Sequence, residues 1–186
     1  MNRSKILSAS ALASLMAAGA AQAEMAVSGY PPEDLLLSNA FHKQIKKALN
    51  DILKHTVGIT CIVGHPSIKK DKILNSASVL RNKKNIGTYN KNELPNYGVF
   101  DEKRYFSSGN EIFNFKIKGH KIGLSICEDI WINESKYLNK DIPDLLLNLS
   151  ASPFTINKQK QRISIIKNFI SKSKIPVGYC NLIGGQ

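Results

Sequence analysis

The sequence predicts an α/β fold in which a sheet is covered by helices. Continuous apolar, β-branched runs at residues 57–63 and 142–149 are typical of buried strands. Apolar residues at helical spacing over 39–55 and 157–172 indicate amphipathic helices, and strands alternate with helices along the chain. The 186 residues, 42% of them hydrophobic, are enough for one domain with its own core.

Charge and cysteine content exclude several classes of protein. The net charge of +12 comes from scattered lysines with no arginine-rich block, so we assign it to a solvated surface and expect no nucleic-acid or membrane partner. Three cysteines without CxxC spacing argue against a disulfide framework and against a zinc site, and no metal is expected. Cys61 and Cys180 lie in strand-like apolar runs and are expected to be core thiols.

Residues 1–23 have the pattern of a secretory signal peptide. A basic start at Arg3 and Lys5 precedes an apolar, small-residue stretch, and Ala21-Gln22-Ala23 fits an A-x-A cleavage site. The segment is too short and too alanine-rich for a membrane-spanning helix. A short helix of the domain, or a leader foreign to the rest of the chain, are the alternatives. We predict a leader over 1–23 and a domain over 24–186.

The first half of the domain is predicted to contain one helix and three strands. The helix covers 39–55, and a buried strand at 57–63 is bounded by Gly64-His65-Pro66. Residues 75–81 and 86–89 form a strand pair. The polar segment 90–109 shows no periodicity, and a loop of that length in a compact domain is usually functional.

The second half is predicted to alternate strands and helices around an apolar strand that ends at a cysteine. Its elements are a strand at 111–117, the strand 122–126, a short helix at 132–139, a strand at 142–149, a helix capped by Asn157 and reaching about Lys172, and a strand at 176–183.

Cys127 is the candidate nucleophile. A thiol at the tip of a core strand is held rigidly, and the amides after the turn are free to stabilise an oxyanion. Its pKa would ordinarily lie near 8.5, so it needs a base and a cation. None of the four histidines ends a predicted core strand, which disfavours a Cys–His–Asp triad. The stretch from Lys91 to Glu102, in the long polar segment, offers both a lysine and carboxylates, although a solvated loop is the alternative.

Five ordered motifs resemble the glutaminase domain of bacterial glutamine-dependent NAD synthetase, a member of the nitrilase (carbon–nitrogen hydrolase) superfamily. The cysteine motif alone indicates the superfamily, and the two long motifs around Tyr30 and Tyr97 indicate NAD synthetase. The motifs are Gly29-Tyr30-Pro31-Pro32-Glu33-Asp34-Leu35-Leu36, the stretch from Lys91 through Leu94-Pro95-Asn96-Tyr97-Gly98-Val99-Phe100-Asp101-Glu102 to Arg104-Tyr105-Phe106, Ile126-Cys127-Glu128-Asp129-Ile130-Trp131, Ala151-Ser152-Pro153-Phe154, and Asn181 followed by Gly184-Gly185-Gln186.

The resemblance implies a nitrilase-type αββα sandwich, incomplete at both ends, with a Glu–Lys–Cys triad. Cys127 would attack the side-chain amide of L-glutamine, giving a thioester and ammonia, and Lys91 would hold the thiolate and the oxyanion. Glu24 falls at the position of the general base, and Glu102 at that of a second, orienting glutamate. The residues that match glutamine-binding positions are Tyr97, Ser152 and Lys158.

The resemblance also implies partners. Ammonia would pass to a synthetase domain that makes NAD from deamido-NAD with ATP and Mg²⁺, so no cofactor is expected in this segment. A homo-oligomer and a cytoplasmic location are expected for the complete enzyme, and the leader conflicts with that location. We expect a fragment of the glutaminase half, without its synthetase domain. The alternatives are a free-standing or exported nitrilase-type amidase and an inactive truncated remnant.

Overall fold

The computed structural model describes residues 19–21, 23–132 and 141–183, which form two stacked four-stranded sheets with helices on the outer faces. The first sheet has the order β1-β2-β3-β4 and the second the order β5-β6-β7-β8. The predicted α/β class is confirmed, and the two sheets agree with the αββα sandwich that the resemblance implies. Among the described residues, no helix is long and apolar enough to cross a membrane.

The first sheet is built from β1 and two hairpins. Its strands are β1 (Gly19–Ala21), β2 (Thr60–Lys69), β3 (Lys72–Arg81) and β4 (Lys84–Asn90). Strand β1 pairs in parallel with β2, whereas β2, β3 and β4 are antiparallel. The β3–β4 turn places Asn82 and Lys83 at positive φ (48° and 59°), as a two-residue hairpin loop of right-handed twist requires.

In the second sheet, three parallel strands have their C-terminal ends at the same edge. Its strands are β5 (Asn114–Ile117), β6 (His120–Ile126), β7 (Leu145–Ser150) and β8 (Val177–Asn181). Strands β5 and β6 form a hairpin, and β6, β7 and β8 are parallel. Strands β6 and β7 are buried on both faces, which explains why they are almost continuously apolar.

Two long helices cover the sandwich. They are α1 (Asn39–Lys54) and α4 (Lys158–Ser173), and the shorter elements are a 3-10 helix (Glu33–Leu37), α2 (Glu102–Tyr105) and α3 (Asp129–Ile132). The hydroxyl of Ser38 caps α1 by accepting from the N–H of Phe41 at 3.4 Å. Asn157 precedes α4 with φ 68° and forms no side-chain cap, so the predicted capping bond is wrong. The helix predicted over 132–139 falls largely outside the described residues.

Apolar packing between the sheets and beneath each long helix holds the sandwich together. The central layer lies between the sheets and includes Ile62, Val79, Tyr89, Phe115, Ile122, Leu124, Ile126 and Leu149. Leu49, Ile52 and Leu53 of α1 pack on Cys61, Val63 and Leu80 of the first sheet, and Phe169 of α4 packs with Leu146 of the second. Cys61 is a buried core thiol, as predicted, and Cys180 is half-buried in β8.

The largest differences from the sequence interpretation concern β2 and β1. Strand β2 runs on through Pro66 to Lys69, although Gly64-His65-Pro66 was expected to end it. Strand β1 lies within residues 1–23, in the segment interpreted as a leader, and pairs with Thr60, Cys61 and Ile62. The described end of that segment is therefore part of the first sheet.

Candidate active site

Four side chains of the predicted site are buried together where the two sheets meet. Glu24 follows β1, Lys91 follows β4, Glu102 begins α2 and Cys127 follows β6. Their exposed fractions are 1%, 1%, 4% and 5%. The charges of Glu24, Lys91 and Glu102 all act on the Cys127 thiol. The structure thus brings together the four residues that the sequence places up to 103 positions apart, from 24 to 127.

Lys91 lies between the two carboxylates. Its Nζ donates to Oε1 of Glu24 and to Oε1 of Glu102, each at 2.7 Å. Burial is the strongest influence and opposes the ammonium, but Glu24, the Cys127 thiol and Glu102 together hold the pKa of Lys91 above its usual value. The side chain is therefore a buried cation at neutral pH.

Glu24 is fixed by donors from both sheets. Its Oε1 also accepts from Nδ2 of Asn75 at 2.7 Å, and its Oε2 accepts from the backbone N–H of Ala151 at 3.0 Å. The segment around Glu24 passes very close to β2, because a Cβ at Gly64 would overlap the carbonyl oxygen of Ala23. Glycine at position 64 therefore allows the approach that places this carboxylate.

The two carboxylate oxygens of Glu102 differ in their hydrogen bonding. Its Oε1 accepts from the Tyr30 hydroxyl at 2.8 Å as well as from Lys91. Its Oε2 is buried and has no hydrogen-bond partner among the residues that the structure describes. Burial, reinforced by Glu24 and opposed by Lys91, raises the pKa of Glu102 to about 7. Burial and Glu102 also raise the pKa of Tyr30, which keeps that hydroxyl a neutral donor.

Cys127 lies on a sharp turn between β6 and α3. Its φ is 44°, a left-handed conformation that costs a non-glycine residue about 1 kcal/mol or more. Its backbone N–H donates to the carbonyl of Leu149 at 2.8 Å, and its carbonyl accepts from Nδ2 of Asn148 at 3.3 Å. Burial and Glu24 raise the pKa of the thiol, whereas Lys91 lowers it. The resting group is a thiol, and it needs a base before it can attack.

A cleft of about 840 Å³ lies beside this cluster. Its lining residues include Tyr30, Phe100, Ser152, Arg162 and Asn181. Ser152 is fixed by Asn181, whose Oδ1 accepts its backbone N–H at 3.1 Å. Arg162 donates from Nη2 to the carbonyl of Ser152 at 2.7 Å and from Nε to its hydroxyl at 3.3 Å. The cleft therefore combines an aromatic wall with a guanidinium.

The three predicted substrate-binding residues occupy different places. Ser152 lines the cleft. The Tyr97 hydroxyl donates to Oε1 and Oε2 of Glu128, the neighbour of Cys127, at 2.9 and 3.0 Å. The Nζ of Lys158 lies 4.8 Å from the centroid of the Trp131 ring, and Lys158 is not among the residues lining the cleft. All three assignments stay predictions.

Residue-level reasoning gave no role to several groups of this site. Asn75 and Tyr30 contact Glu24 and Glu102 across 51 and 72 positions of the chain, and Arg162 contacts Ser152 across 10. Tyr30 lies in one of the motifs that carry the resemblance, and that motif was the available signal. Asn75 lies inside a strand and Arg162 inside a helix, and neither belongs to such a motif. Among the described residues, no cluster of three or more histidine, cysteine, aspartate or glutamate residues could hold a metal ion.

Comparison with known proteins identifies relatives of the chain. The chain is 40% identical over 167 residues to the glutamine-dependent NAD(+) synthetase of Aquifex aeolicus, covering 88% of this chain and 29% of that protein. It is 41% identical over 165 residues to that of Acinetobacter baylyi, covering 88% of this chain and 30% of that protein. The chain thus spans about a third or less of these relatives, and its resemblance to their family is confirmed.

Solved structures give the same fold. Glutamine-dependent NAD+ synthetase from Acinetobacter baumannii superposes with a TM-score of 0.86 at 35% identity, over 91% of this chain and 32% of that chain. An amidase of the nitrilase superfamily from Nesterenkonia AN1 superposes with a TM-score of 0.74 at 16% identity, over 90% of this chain and 64% of that chain. The nitrilase-type fold is confirmed. Since residues 3–185 also match the carbon–nitrogen hydrolase family, the chain belongs to that family.

Proposed function

We propose that the chain hydrolyses the side-chain amide of L-glutamine and supplies the ammonia for ATP-dependent synthesis of NAD from deamido-NAD. The observation that carries the proposal is the buried Lys91 ammonium between Glu24 and Glu102, beside Cys127. The relatives of 40% and 41% identity, which are glutamine-dependent NAD(+) synthetases, support glutamine as the substrate.

The first half-reaction forms a thioester. Glu24 takes the proton of the Cys127 thiol as the sulfur attacks the amide carbon of glutamine, and the carbonyl oxygen becomes an oxyanion. The Lys91 ammonium stabilises the thiolate and then the oxyanion at short range in a buried site, where such interactions are stronger than in water. The tetrahedral intermediate breaks its C–N bond, Glu24 returns the proton to the leaving nitrogen, and ammonia departs.

The second half-reaction releases glutamate. A water molecule gives a proton to Glu24 and attacks the thioester carbon, and Lys91 again stabilises the oxyanion. The C–S bond then breaks, and the sulfur recovers the proton from Glu24. Glu102 orients the Lys91 ammonium throughout, since it accepts one of its hydrogen bonds.

The cleft binds the part of glutamine that lies beyond its side-chain amide. Ser152, with Arg162 bound to its carbonyl, supplies polar groups at one wall. Tyr97 and Lys158 are the further glutamine contacts that we propose. Ammonia passes to an ATP- and Mg²⁺-using synthetase domain, and we propose a cytoplasmic homo-oligomer for the complete enzyme.

The signal-like pattern of residues 1–23 favours a second candidate, an exported amidase acting on another amide. The test is release of ammonia from L-glutamine, L-asparagine and acetamide by the 186-residue chain, with Cys127→Ala as the control. Cysteine-dependent hydrolysis that prefers glutamine supports the proposal. Preference for acetamide would favour the exported amidase, and no hydrolysis of any amide would favour an inactive remnant.

A further inference from the structure

Asp129 is a buried carboxylate to which the proposed reaction assigns no step. It begins α3, two residues after Cys127, and is 3% exposed. Its Oδ1 accepts from the backbone N–H groups of Asn92 at 3.0 Å and Glu93 at 2.8 Å. These two peptide groups directly follow Lys91. One oxygen of Asp129 therefore binds the backbone next to the proposed cation, just after the end of β4.

The second oxygen holds the chain at the nucleophile. Oδ2 of Asp129 accepts from the backbone N–H of Ile126 at 2.7 Å and from the hydroxyl of Tyr89 at 2.8 Å. Ile126 directly precedes Cys127, whose backbone is held at positive φ. All four contacts are donated to the carboxylate, which is the arrangement that an ionised acid accepts.

These contacts join two sheets that share no strand pairing. Lys91 follows the first sheet and Cys127 the second. Packing of apolar side chains holds the sheets face to face but tolerates small sliding, whereas charge-assisted hydrogen bonds have a defined length and direction. A single rigid carboxylate that binds both backbones therefore fixes their relative position where the chemistry takes place.

We propose that Asp129 is a positioning residue that sets the distance between the Lys91 ammonium and the Cys127 sulfur. The inference rests on the proposed roles of those two residues. A displacement of about 1 Å between a catalytic cation and its target costs about a hundredfold in rate. A looser link also leaves the thiolate less stabilised by the ammonium, and this consequence can be measured without turnover.

The experiment is the pH dependence of iodoacetamide alkylation at Cys127 in the 186-residue chain. Peptide mass spectrometry reads Cys127 separately from Cys61 and Cys180. Asp129→Asn keeps the shape of the side chain but replaces one acceptor oxygen by an NH2 group. This donor faces a backbone N–H, so the hydrogen bonds to one of the two backbone segments are lost. We expect the midpoint of alkylation to rise by about one pH unit and kcat for glutamine to fall about 10- to 100-fold at similar KM.

The direction of the midpoint separates positioning from simple electrostatics. Removing a nearby negative charge favours a thiolate and would lower the midpoint, whereas displacing the ammonium raises it. Ser78→Ala is the matched control, because Ser78 is buried in β3 and its hydroxyl contacts His65 at 2.8 Å and Thr88 at 2.9 Å, away from both backbone segments. This control should lower stability and leave the midpoint unchanged.

Three outcomes would overturn the proposal: an unchanged or lowered midpoint in folded Asp129→Asn, a fall in glutamine affinity at constant kcat, or an equal rise in Ser78→Ala. If Asp129→Asn does not fold, Asp129→Glu replaces it, since this variant keeps the charge and moves the carboxylate by one methylene. A raised midpoint then supports positioning, and the parent's midpoint contradicts it. Failure of the parent to hydrolyse glutamine would count against the proposed function, whereas the alkylation comparison needs no turnover and decides on Asp129 alone.

Discussion

The Nζ of Lys91 lies 2.7 Å from Oε1 of Glu24, although 67 positions separate the two residues in the chain. Neither side chain is reached by solvent to more than 1%. A buried ion pair of this kind is weak evidence for stability, because desolvation of both charges offsets their attraction. In the proposed reaction the pair has a chemical role, since it keeps a cation beside the Cys127 thiol, whose pKa burial raises.

Replacing Lys91 should remove both activity and stability. Lys91→Met leaves the carboxylates of Glu24 and Glu102 buried without their cation, so we expect about 3–5 kcal/mol less stability in urea unfolding. We expect ammonia release from glutamine to fall at least about a hundredfold, because the oxyanion loses its donor. Lys91→Arg should not restore the rate, since a planar guanidinium presents different geometry.

The matched control for that charge change is Lys160→Met, on the exposed face of α4. It should change neither the unfolding free energy nor the rate by a measurable amount. Equal activity in Lys91→Met and the parent would place Lys91 among the structural residues and contradict the proposed role.

Glu102 should make stability depend on pH between about 4.5 and about 7. Its pKa is raised from 4.5 to about 7 in the folded protein, chiefly by burial, so the folded state binds the proton more tightly than the unfolded chain. The contribution is full below the unfolded pKa and is lost as pH rises through about 7; it amounts to about 3 kcal/mol. Urea unfolding of the parent should show this loss with rising pH.

The comparison that isolates Glu102 is Glu102→Gln, which cannot titrate. The difference in unfolding free energy between parent and variant should change across this pH window and level off on either side. A difference that is constant with pH would show that Glu102 has an ordinary pKa in the folded protein.

Much of the fold was predictable because hydrophobic periodicity records which faces are buried. The α1 helix was predicted to within one residue at each end, and the β3 and β4 strands to within three. The end of β2 was missed because Pro66 usually ends a strand. Among the described residues, β1 pairs with Thr60, Cys61 and Ile62 and does not reach Pro66, so the proline takes no hydrogen bond from that pairing. That pairing is set by tertiary structure, and local pattern does not record it.

The site was only partly predictable for a similar reason. Cys127 could be found because a thiol ends an apolar strand, and Lys91, Glu102 and Glu24 came from the resemblance. Asn75 could not be found, since its contact with Glu24 spans 51 positions and depends on how the strands stack. The leader-like pattern also obscured β1, because a short strand of Gly and Ala has the composition of a cleavage region.

Two cysteines allow the nucleophile to be tested against a matched buried thiol. Cys127→Ala should abolish ammonia release, because no other group supplies the attacking sulfur, while circular dichroism stays at the parent's level. Cys61→Ala removes a core thiol that packs beneath α1, so it should cost about 1 kcal/mol of stability and retain activity. Parental activity in Cys127→Ala, or its loss in folded Cys61→Ala, would contradict the assignment.

The last prediction concerns β1 and the position of the base. Strand β1 ends three residues before Glu24 and pairs with the first three residues of β2, so it fixes the approach of that carboxylate to Lys91. A chain beginning at Glu24, as cleavage after Ala23 would leave it, loses this strand and exposes the edge of β2. We expect it to hydrolyse glutamine at least about a hundredfold more slowly than a chain beginning at Gly19, because the base is no longer held within the tolerance of catalysis. The comparison measures ammonia release and urea unfolding for both chains, each preceded by a single methionine. Equal rates would show that Glu24 is placed by Asn75 and Ala151 alone, and would make a mature protein cleaved after Ala23 compatible with activity.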